Sequence, residues 1–418
     1  MQTCGFPWPD VLGLRRPGNH GAERWSVVAY STMRVLPTAT PEQIKSGLSE
    51  NALTDPVGMG TRRGFLAQIA GAVVAAASAS TRGAEASKSP SRRRPGTVQT
   101  VQGPISASKL GFTLPHEHIC ASSAGFWQAW PEFFGGRATF INKVVDKLEA
   151  ARDEGVDTIV DVTPFDVGRD IRLLQEVSRR SGMHIVACTG HWLSPSLSMA
   201  ARTADELADF FVLEIERGIE GTDIKPGVIK VATDQEGVTP CLDRALRAAA
   251  RASKATGVPV TTHTYAAARI GEKQADIFEG EGLNPASVCL GHCDDSDDMD
   301  YLTGLLQRGY TIGMDHLTWG VGDSTEPNPN TLSWQQRALT IKKLIDAGFC
   351  RKIFLSNDWY FGISIARRGA MEAKEKLNPD GILFTCRKVI PYLKHIGVTE
   401  EQIQTLTVDN PRRFFGGI

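Results

Sequence analysis

The sequence predicts a closed (β/α)8 barrel, the TIM-barrel fold, over residues 97–418, with a short β-hairpin before the first barrel strand. Short apolar runs rich in β-forming residues alternate there with amphipathic helical patterns, and eight such runs can be counted. Strands that alternate with helices indicate parallel βαβ units, and eight units close into a barrel. An open doubly wound sheet is the alternative, but no GxGxxG motif follows the first run.

The predicted elements follow one another along the whole of this region. The strands are Gly111–His118, Thr158–Thr163, His184–Thr189, Gly227–Ala232, Pro259–Thr264, Val288–His292, Thr311–His316 and Ile353–Asp358. Amphipathic segments between them include Asp205–Gly218, Leu242–Thr256 and Trp334–Ala347. Residues Gly96–Lys109 are expected to form the hairpin, which would cover the N-terminal end of the barrel after a polar linker at residues 87–96.

The composition excludes several classes of protein. Hydrophobic residues make up 41% of the chain, enough for a large core. The 46 basic and 47 acidic residues give a net charge of −1, which offers no support for a nucleic-acid partner or a polybasic membrane surface. The 8 cysteines are too sparse for a disulfide scaffold. No apolar run reaches the roughly 18 residues expected of a transmembrane helix.

The N-terminal region has the features of an export signal. Residues 1–58 lack sustained periodicity and are expected to be disordered. Residues 59–86 carry Arg62 and Arg63, then Phe and Leu, an alanine-rich stretch and small-residue cleavage sites, which resembles a twin-arginine signal peptide. A short buried helix is the alternative. Because such signals normally lie at the N-terminus, Met59 is a candidate for the start of translation, and residues 1–58 would then be untranslated. We expect export by the twin-arginine machinery to the periplasm or a membrane-associated part of the cell envelope.

Polar side chains able to bind metal cluster where the predicted strands end. The six candidates are His116, His118, Lys230, His263, His292 and Asp358. In a barrel, the carboxyl ends of the strands meet at the face that carries the chemistry. Alternation along the first strand places His116 and His118 on one side, and a lysine inside the apolar fourth strand is costly unless it is paired. One strand-end histidine is usually a core residue, but six such residues together predict a metal site.

The ligand types predict two divalent metals. Imidazole and carboxylate ligands suit zinc, with cobalt, manganese or iron as alternatives to it. Six ligands exceed one tetrahedral site, so two ions roughly 3.5–4 Å apart are expected. A lysine can bridge two metals only if it loses its charge, and carboxylation of Lys230 by CO₂ would convert its ammonium group into a carbamate anion.

Five motifs in order resemble the bacterial phosphotriesterases, the parathion hydrolases of the amidohydrolase superfamily. The motifs are Leu114–Cys120, Gly227–Ala232, Thr261–Thr264, Gly291–Asp295 and Ser356–Trp359. The resemblance extends from Thr97 to Pro411. It implies hydrolysis of organophosphate triesters by a hydroxide that bridges two metals. Two cations would lower the pKa of that water, and the more exposed one would polarise the P=O oxygen.

The resemblance also implies roles for individual residues. The ligands of the buried metal would be His116, His118, Lys230 and Asp358. Those of the exposed metal would be Lys230, His263 and His292, with Lys230 as a bridging N6-carboxylysine. A proton relay away from the metals would use Asp358, His316 and Asp295. The alternative for His316 is a core histidine bonded to Asp315 alone, while Asp297 and Asp298 are interpreted as an ordinary solvated helix start.

The substrate pocket is expected to be apolar and aromatic. Its candidate residues are Ala121, Trp192, Leu193, Trp319, Tyr360 and Ile363. Leu193 and Ile363 stand where relatives carry phenylalanine, Trp319 replaces a histidine and Ala121 a glycine, which leaves the substrate range open. The long connection Gly320–Asn330 resembles phosphotriesterases more than lactonases.

Four functions follow from these patterns. We expect a homodimeric phosphotriesterase that acts on small-molecule esters. The first alternative is a lactonase or carboxylesterase on the same scaffold, since a binuclear hydroxide also attacks carbonyl groups. A deaminase-type amidohydrolase and a barrel that binds without catalysis are the other two, and the presence of all six ligands argues against the last.

Overall fold

The computed structural model of the chain describes residues 92–194, 196–318, 332–363 and 370–418. The predictions for the signal peptide and its export, for Trp319 and for Gly320–Asn330 fall outside these residues. Within the described ranges, no helix combines the length and the apolar character that crossing a membrane requires.

A two-stranded hairpin precedes the barrel, as predicted. Strands β1 (Thr97–Thr100) and β2 (Gly103–Ser106) pair antiparallel. Val98 is buried with Val186 and Phe415 in one hydrophobic cluster inside the barrel, at the end nearest the hairpin. Just upstream, Arg93 donates a backbone hydrogen bond to Thr256 and a side-chain hydrogen bond to the Phe415 carbonyl. The hairpin therefore covers one end of the barrel and leaves the other end open.

Within the described residues, nine parallel strands form one sheet in the order β10-β9-β8-β7-β6-β5-β4-β3-β11. They are β3 (Thr113–Ala121), β4 (Thr158–Asp161), β5 (His184–Gly190), β6 (Val228–Ala232), β7 (Val260–His263), β8 (Val288–Leu290), β9 (Thr311–Met314), β10 (Ile353–Leu355) and β11 (Tyr360–Ile363).

The eighth barrel strand consists of two pieces, and these close the sheet. β10 pairs with β9, while β11 pairs with β3 at the opposite edge. Between the two pieces, Asp358 N donates to His116 O (3.1 Å), and His118 N donates to Trp359 O (2.9 Å). One continuous segment thus joins both edges of the sheet. The (β/α)8 barrel is confirmed, and the open doubly wound alternative is wrong.

Helices surround the sheet and connect its strands. The α-helices are α1 (Phe126–Ala129), α2 (Arg137–Asp153), α3 (Ile171–Ser181), α4 (Leu197–Ala200), α5 (Ala204–Arg217), α6 (Pro240–Thr256), α7 (Ile270–Gly280), α8 (Met299–Gln307), α9 (Trp334–Asp346), α10 (Ala370–Leu377), α11 (Ile390–His395), α12 (Glu400–Gln404) and α13 (Asn410–Gly416). Short 3₁₀ turns and two π-helical segments, Thr385–Val389 and Thr405–Asp409, complete the described elements.

Local capping explains why three predicted helices begin where they do. Thr203 and Ser333 each form a capping box, with Glu206 and Gln336 respectively, ahead of α5 and α9. Thr239 caps α6, whose first residue is Pro240. The observed helices agree with the predicted ones to within two residues at either end.

Several predicted strands end earlier than expected. The sixth, seventh and eighth were predicted to reach His292, His316 and Asp358, but β8, β9 and β10 end at Leu290, Met314 and Leu355. His292 and Asp358 have positive φ values of 58° and 49°, which extended strands do not allow. The chain therefore leaves the sheet where its polar side chains turn into the barrel mouth.

Alternation along the strands divides the core into two layers. In β6, Val228 faces the barrel interior, whereas Ile229 and Val231 pack outward against the helices. Lys230 consequently points inward, above Val228 and towards the open end. The inward lysine predicted from the sequence follows from this period of two.

Strands β5 and β6 approach each other closely at Gly190. Gly190 (φ 117°) lies opposite Lys230, and a Cβ on it would come within 1.9 Å of the Lys230 carbonyl oxygen. We expect Gly190→Ala to lower the free energy of unfolding by about 2 kcal/mol or more, because the backbone must shift. Denaturant unfolding measures this change.

Gly280→Ala is the matched control, because its Cβ would meet nothing within 4 Å at the end of α7. We expect it to gain roughly 0.5–1 kcal/mol from the better helix propensity of alanine. Equal stability of the two variants would contradict the proposed clash.

Candidate metal centre

The structure brings the six predicted ligand residues together at the open end of the barrel. They are His116, His118, Lys230, His263, His292 and Asp358. The ring centroids of His116 and His292 are 4.6 Å apart, and those of His263 and His292 are 4.4 Å apart. Residues from five different strands or strand ends thus share one small volume.

The first candidate site is formed by His116, His118 and Asp358, which are all buried and whose ligand atoms lie within 4.8 Å of one another. Asp358 Oδ1 is 3.1 Å from His118 Nε2 and 3.8 Å from His116 Nε2. Among the described residues, no donor in hydrogen-bond geometry reaches this oxygen. A buried oxygen that faces two imidazole nitrogens in this way fits a cation better than it fits an empty core.

Hydrogen bonds at the Nδ1 atoms orient the imidazole rings of three candidate ligands. Asp315 accepts hydrogen bonds from Nδ1 of His116 and Nδ1 of His292, both at 2.9 Å. Thr163 Oγ1 lies 2.8 Å from His118 Nδ1. The Nε2 atoms of His116 and His292 therefore carry the lone pairs that a metal needs, and burial lowers the pKa of His116 to about 4, so its ring is neutral.

Lys230 completes the buried side of the centre. Its side chain is buried, and Nζ lies 2.9 Å from His116 Nε2. Burial lowers the pKa of Lys230 to about 8, although the carboxylates of Asp358 and Asp315 oppose that shift. A neutral amine is therefore accessible at moderate pH in direct contact with a candidate ligand.

The second candidate site is more open. The side chain of His263 is 18% exposed, and its Nε2 lies 3.9 Å from Asp234 Oδ1. The side chain of His292 is buried, and burial holds its pKa well below the usual range. The His263 side of the cluster is thus open to solvent, and the family resemblance implies the more exposed metal at this position.

His316 lies between two carboxylates, as the predicted relay requires. Its Nε2 is 3.2 Å from Asp358 Oδ2, and its Nδ1 is 2.8 Å from Asp295 Oδ2. Burial alone would lower the pKa of His316, but these two carboxylates outweigh it and raise the pKa to about 10. The alternative in which His316 bonds to Asp315 alone is wrong, because Asp315 instead contacts His116 and His292.

Sequence reasoning missed two residues of this centre. Asp315 was considered only as a partner for His316, although its place after a barrel strand could have marked it. Arg337 comes from α9 and is buried, with Nη1 2.6 Å from Asp295 Oδ1 and 3.3 Å from Asp294 Oδ2. No local motif identifies it, because its partners are some 40 positions away in the sequence.

The neighbouring acidic residues have separate structural roles. Asp294 is buried and accepts hydrogen bonds from the backbone N–H groups of Asp315 and His316. Asp298 caps α8 by accepting from Tyr301 N, and Asp297 is exposed, as expected of a helix start. The imidazole of His316, by contrast, contacts the carboxylate of Asp295.

The predicted pocket residues differ in their distance from the centre. Trp192 packs edge-on towards His263, with ring centroids 6.0 Å apart. Tyr360 stacks on His118 (4.8 Å, 8° between the rings), and its hydroxyl donates to Asp358 Oδ2 at 3.0 Å. Tyr360 therefore belongs to the centre itself as well as to its wall. Leu193 is half-buried, while Ala121 and Ile363 pair across β3 and β11.

These features define an α/β barrel whose open end could hold two metals, and comparison with known proteins assigns its family. Residues 96–415 match the phosphotriesterase family. A phosphotriesterase homology protein of Mycobacterium tuberculosis is 37% identical over 336 residues, which cover 76% of this chain and 97% of that protein. The chain belongs to the phosphotriesterase family.

Further relatives differ in the activity that their names state. An aryldialkylphosphatase of Saccharolobus solfataricus is 36% identical over 314 residues, which cover 74% of this chain and 96% of that protein. A phospho-furanose lactonase of Mycoplasmopsis synoviae is 26% identical over 335 residues, which cover 76% of this chain and 90% of that protein. The family comprises metal-dependent hydrolases, so the comparisons support a hydrolase and leave its ester substrate to be established.

Two neighbouring residues should respond differently to substitution. Asp315→Asn removes one acceptor from the pair of histidines that it orients, so we expect metal affinity to fall about 10–100-fold. His316→Asn should retain both metals, because in the predicted relay Nε2 of His316 bonds to Asp358 Oδ2 and Nδ1 bonds to Asp295, so neither nitrogen serves a metal. The metal content of each variant is measured after dialysis against a graded series of chelator concentrations.

The turnover of His316→Asn distinguishes a proton-relay role of His316 from a metal-ligand role. We expect His316→Asn to slow hydrolysis by at most roughly 10²–10⁴-fold, the range typical of general acid–base groups. Loss of a metal from this variant would make His316 a ligand and would contradict the relay.

Proposed function

We propose that this protein is a binuclear metal-dependent hydrolase that cleaves organophosphate triesters. The observation that carries the proposal is the buried cluster of His116, His118 and Asp358, whose ligand atoms lie within 4.8 Å of one another, with Lys230 and His292 beside His116. The 36% identity to an aryldialkylphosphatase supports the substrate class.

The side chains divide into two sets of ligands. His116, His118 and Asp358 would hold the buried ion, and His263 and His292 the exposed one. Lys230 would serve both ions after its amine nitrogen has bonded to the carbon of CO₂ and released a proton, because the resulting carbamate has two oxygens. Zinc is the ion that this donor set suits best. Two bound ions would supply an acidified water and a Lewis acid for the phosphoryl oxygen.

Side chains of this protein would provide the path by which a proton leaves the centre. Asp358 Oδ2 lies within hydrogen-bonding reach of His316 Nε2, and His316 Nδ1 faces Asp295. A proton taken up at Asp358 can therefore pass through the imidazole towards Asp295. His316 and Arg337 hold the pKa of Asp295 well below its usual range in spite of burial, so this carboxylate stays anionic and accepts a charge-assisted hydrogen bond from the imidazole.

Apolar and aromatic side chains would orient the substrate. Trp192 stands beside His263 on the open side, and Tyr360 stands beside His118 on the opposite side. A neutral triester with an aryl leaving group offers the apolar and aromatic surface that such walls can pack against. A lactonase remains the second candidate, because a relative carries that name and the same centre can attack a carbonyl.

Comparing two substrates tests the proposed reaction. The purified protein, loaded with zinc or cobalt, should hydrolyse diethyl p-nitrophenyl phosphate with a higher kcat/KM than a homoserine lactone. Removing the metals by chelation should abolish the activity, and two equivalents should restore it. A preference for the lactone would assign the second candidate function, and a stoichiometry of one would exclude the binuclear centre.

Substitution of the bridging residue gives a further prediction. Lys230→Ala should lose both metals and activity, because the proposal assigns the carbamate of Lys230 to both ions. Added acetate or propionate should restore part of both by occupying the place of the carbamate. Lys147→Ala, an exposed position on α2, is the control and should behave as wild type. Full activity of Lys230→Ala without added acid would disprove the bridging role.

A further inference from the structure

Glu117 lies between two candidate ligands in sequence and takes no part in the proposed reaction. Alternation along β3 turns it away from His116 and His118, into the layer between the sheet and the helices. Its side chain is fully buried. A buried acid is costly unless hydrogen bonds satisfy its oxygens, so the partners of Glu117 show what its burial achieves.

All four partners of Glu117 come from the residues that flank Asp358. Oε1 accepts from Ser356 Oγ (2.7 Å), Asn357 N (2.9 Å) and Asn357 Nδ2 (3.0 Å). Oε2 accepts from Trp359 N (2.8 Å). One side chain therefore holds the backbone on both sides of Asp358.

The residue between these contacts has an unfavourable backbone conformation. Asp358 adopts φ 49°, a left-handed conformation that costs a non-glycine residue free energy and persists only where its surroundings impose it. The chain must leave the ladder of β10 and enter that of β11 at this residue. The left-handed conformation turns the Asp358 carboxylate towards His118 and His316.

The contacts continue outward to the C-terminal helices. Asn357 Nδ2 also donates to Ile382 O (2.8 Å), and Asn357 Oδ1 accepts from Thr385 N (3.1 Å) and Thr385 Oγ1 (2.7 Å). Glu117 thus connects the first barrel strand, the break in the eighth and the helical layer behind them.

We propose that Glu117 is a positioning residue that holds Asp358 in its metal-binding conformation. The inference rests on the proposed function, because it concerns how the first metal site is built. Burial raises the pKa of Glu117 to about 8. The proposed role rests on the geometry of the four hydrogen bonds, which the ionised carboxylate accepts with its two oxygens.

Glu117→Gln tests the role with almost no change in shape. The amide would place an N–H group opposite Trp359 N or the donors of Ser356 and Asn357, so at least one hydrogen bond is lost. We expect the dissociation constant for one of the two Co²⁺ ions to rise about 10–100-fold, as substitutions behind metal ligands do. Titration of the metal-free full chain with Co²⁺, followed by visible absorption, measures this. The kcat should fall while KM stays within about twofold, because substrate contacts are untouched.

Asp170→Asn is the matched control. Asp170 is also a buried carboxylate, and it accepts from Trp127 Nε1 and Leu173 N, both at 2.9 Å, at the start of α3. This variant should lower the thermal stability of the metal-free protein and leave both Co²⁺ affinities unchanged. Unchanged Co²⁺ binding in Glu117→Gln, or weakening in both variants in proportion to their loss of stability, would overturn the proposal.

Ser356→Ala keeps the test decisive if Glu117→Gln does not fold. It removes one of the four donors and should weaken one Co²⁺ site by a smaller factor in a folded protein, whereas wild-type affinity would overturn the proposal. Wild type is measured first. If it binds no pair of Co²⁺ ions, the proposed function fails independently of the variants.

Discussion

Closure of the barrel through the segment 353–363 is the constraint on which the rest of the site depends. Its first part pairs with β9 and its second part with β3, so the segment spans the last gap in the sheet. The break between the two pairings places Asp358 beside His116 and His118. A barrel closed by an uninterrupted strand would keep residue 358 in the ladder. The same interruption thus completes the fold and delivers the carboxylate to the centre.

Carboxylates behind the histidines set the chemistry of each imidazole. Asp315 orients His116 and His292, which burial keeps neutral and therefore able to bind metal. Asp295 and Asp358 flank His316 and keep it protonated. The rings of His292 and His316 are both buried and stack with their centroids 3.7 Å apart. Their partners nevertheless leave His292 neutral and His316 protonated. This difference fits the ligand role proposed for His116 and His292 and the proton-transfer role proposed for His316.

Reaction class and substrate choice depend on different parts of the molecule. The metal centre uses strand ends that the sheet holds rigidly, and the family match covers these regions. The walls of the mouth come from the loops and strand edges around Trp192 and Tyr360, where relatives with different stated activities can diverge. In the proposed function, the apolar residues of the mouth would favour neutral esters, whereas the two metals would allow attack at phosphorus or at a carbonyl carbon.

The sequence by itself determined the barrel and the positions of the six candidate ligands at or near strand ends, because both depend on local periodicity. A period of two places His116, His118 and Lys230 on the inner face, and the carboxyl ends of parallel strands must meet. Only the tertiary structure decided the partners of those residues. Asp315 turns away from its neighbour His316, Arg337 reaches Asp295 from a distant helix, and Glu117 contacts residues about 240 positions further along the chain. Such contacts depend on how the strands close and how the helices pack, which no local pattern encodes.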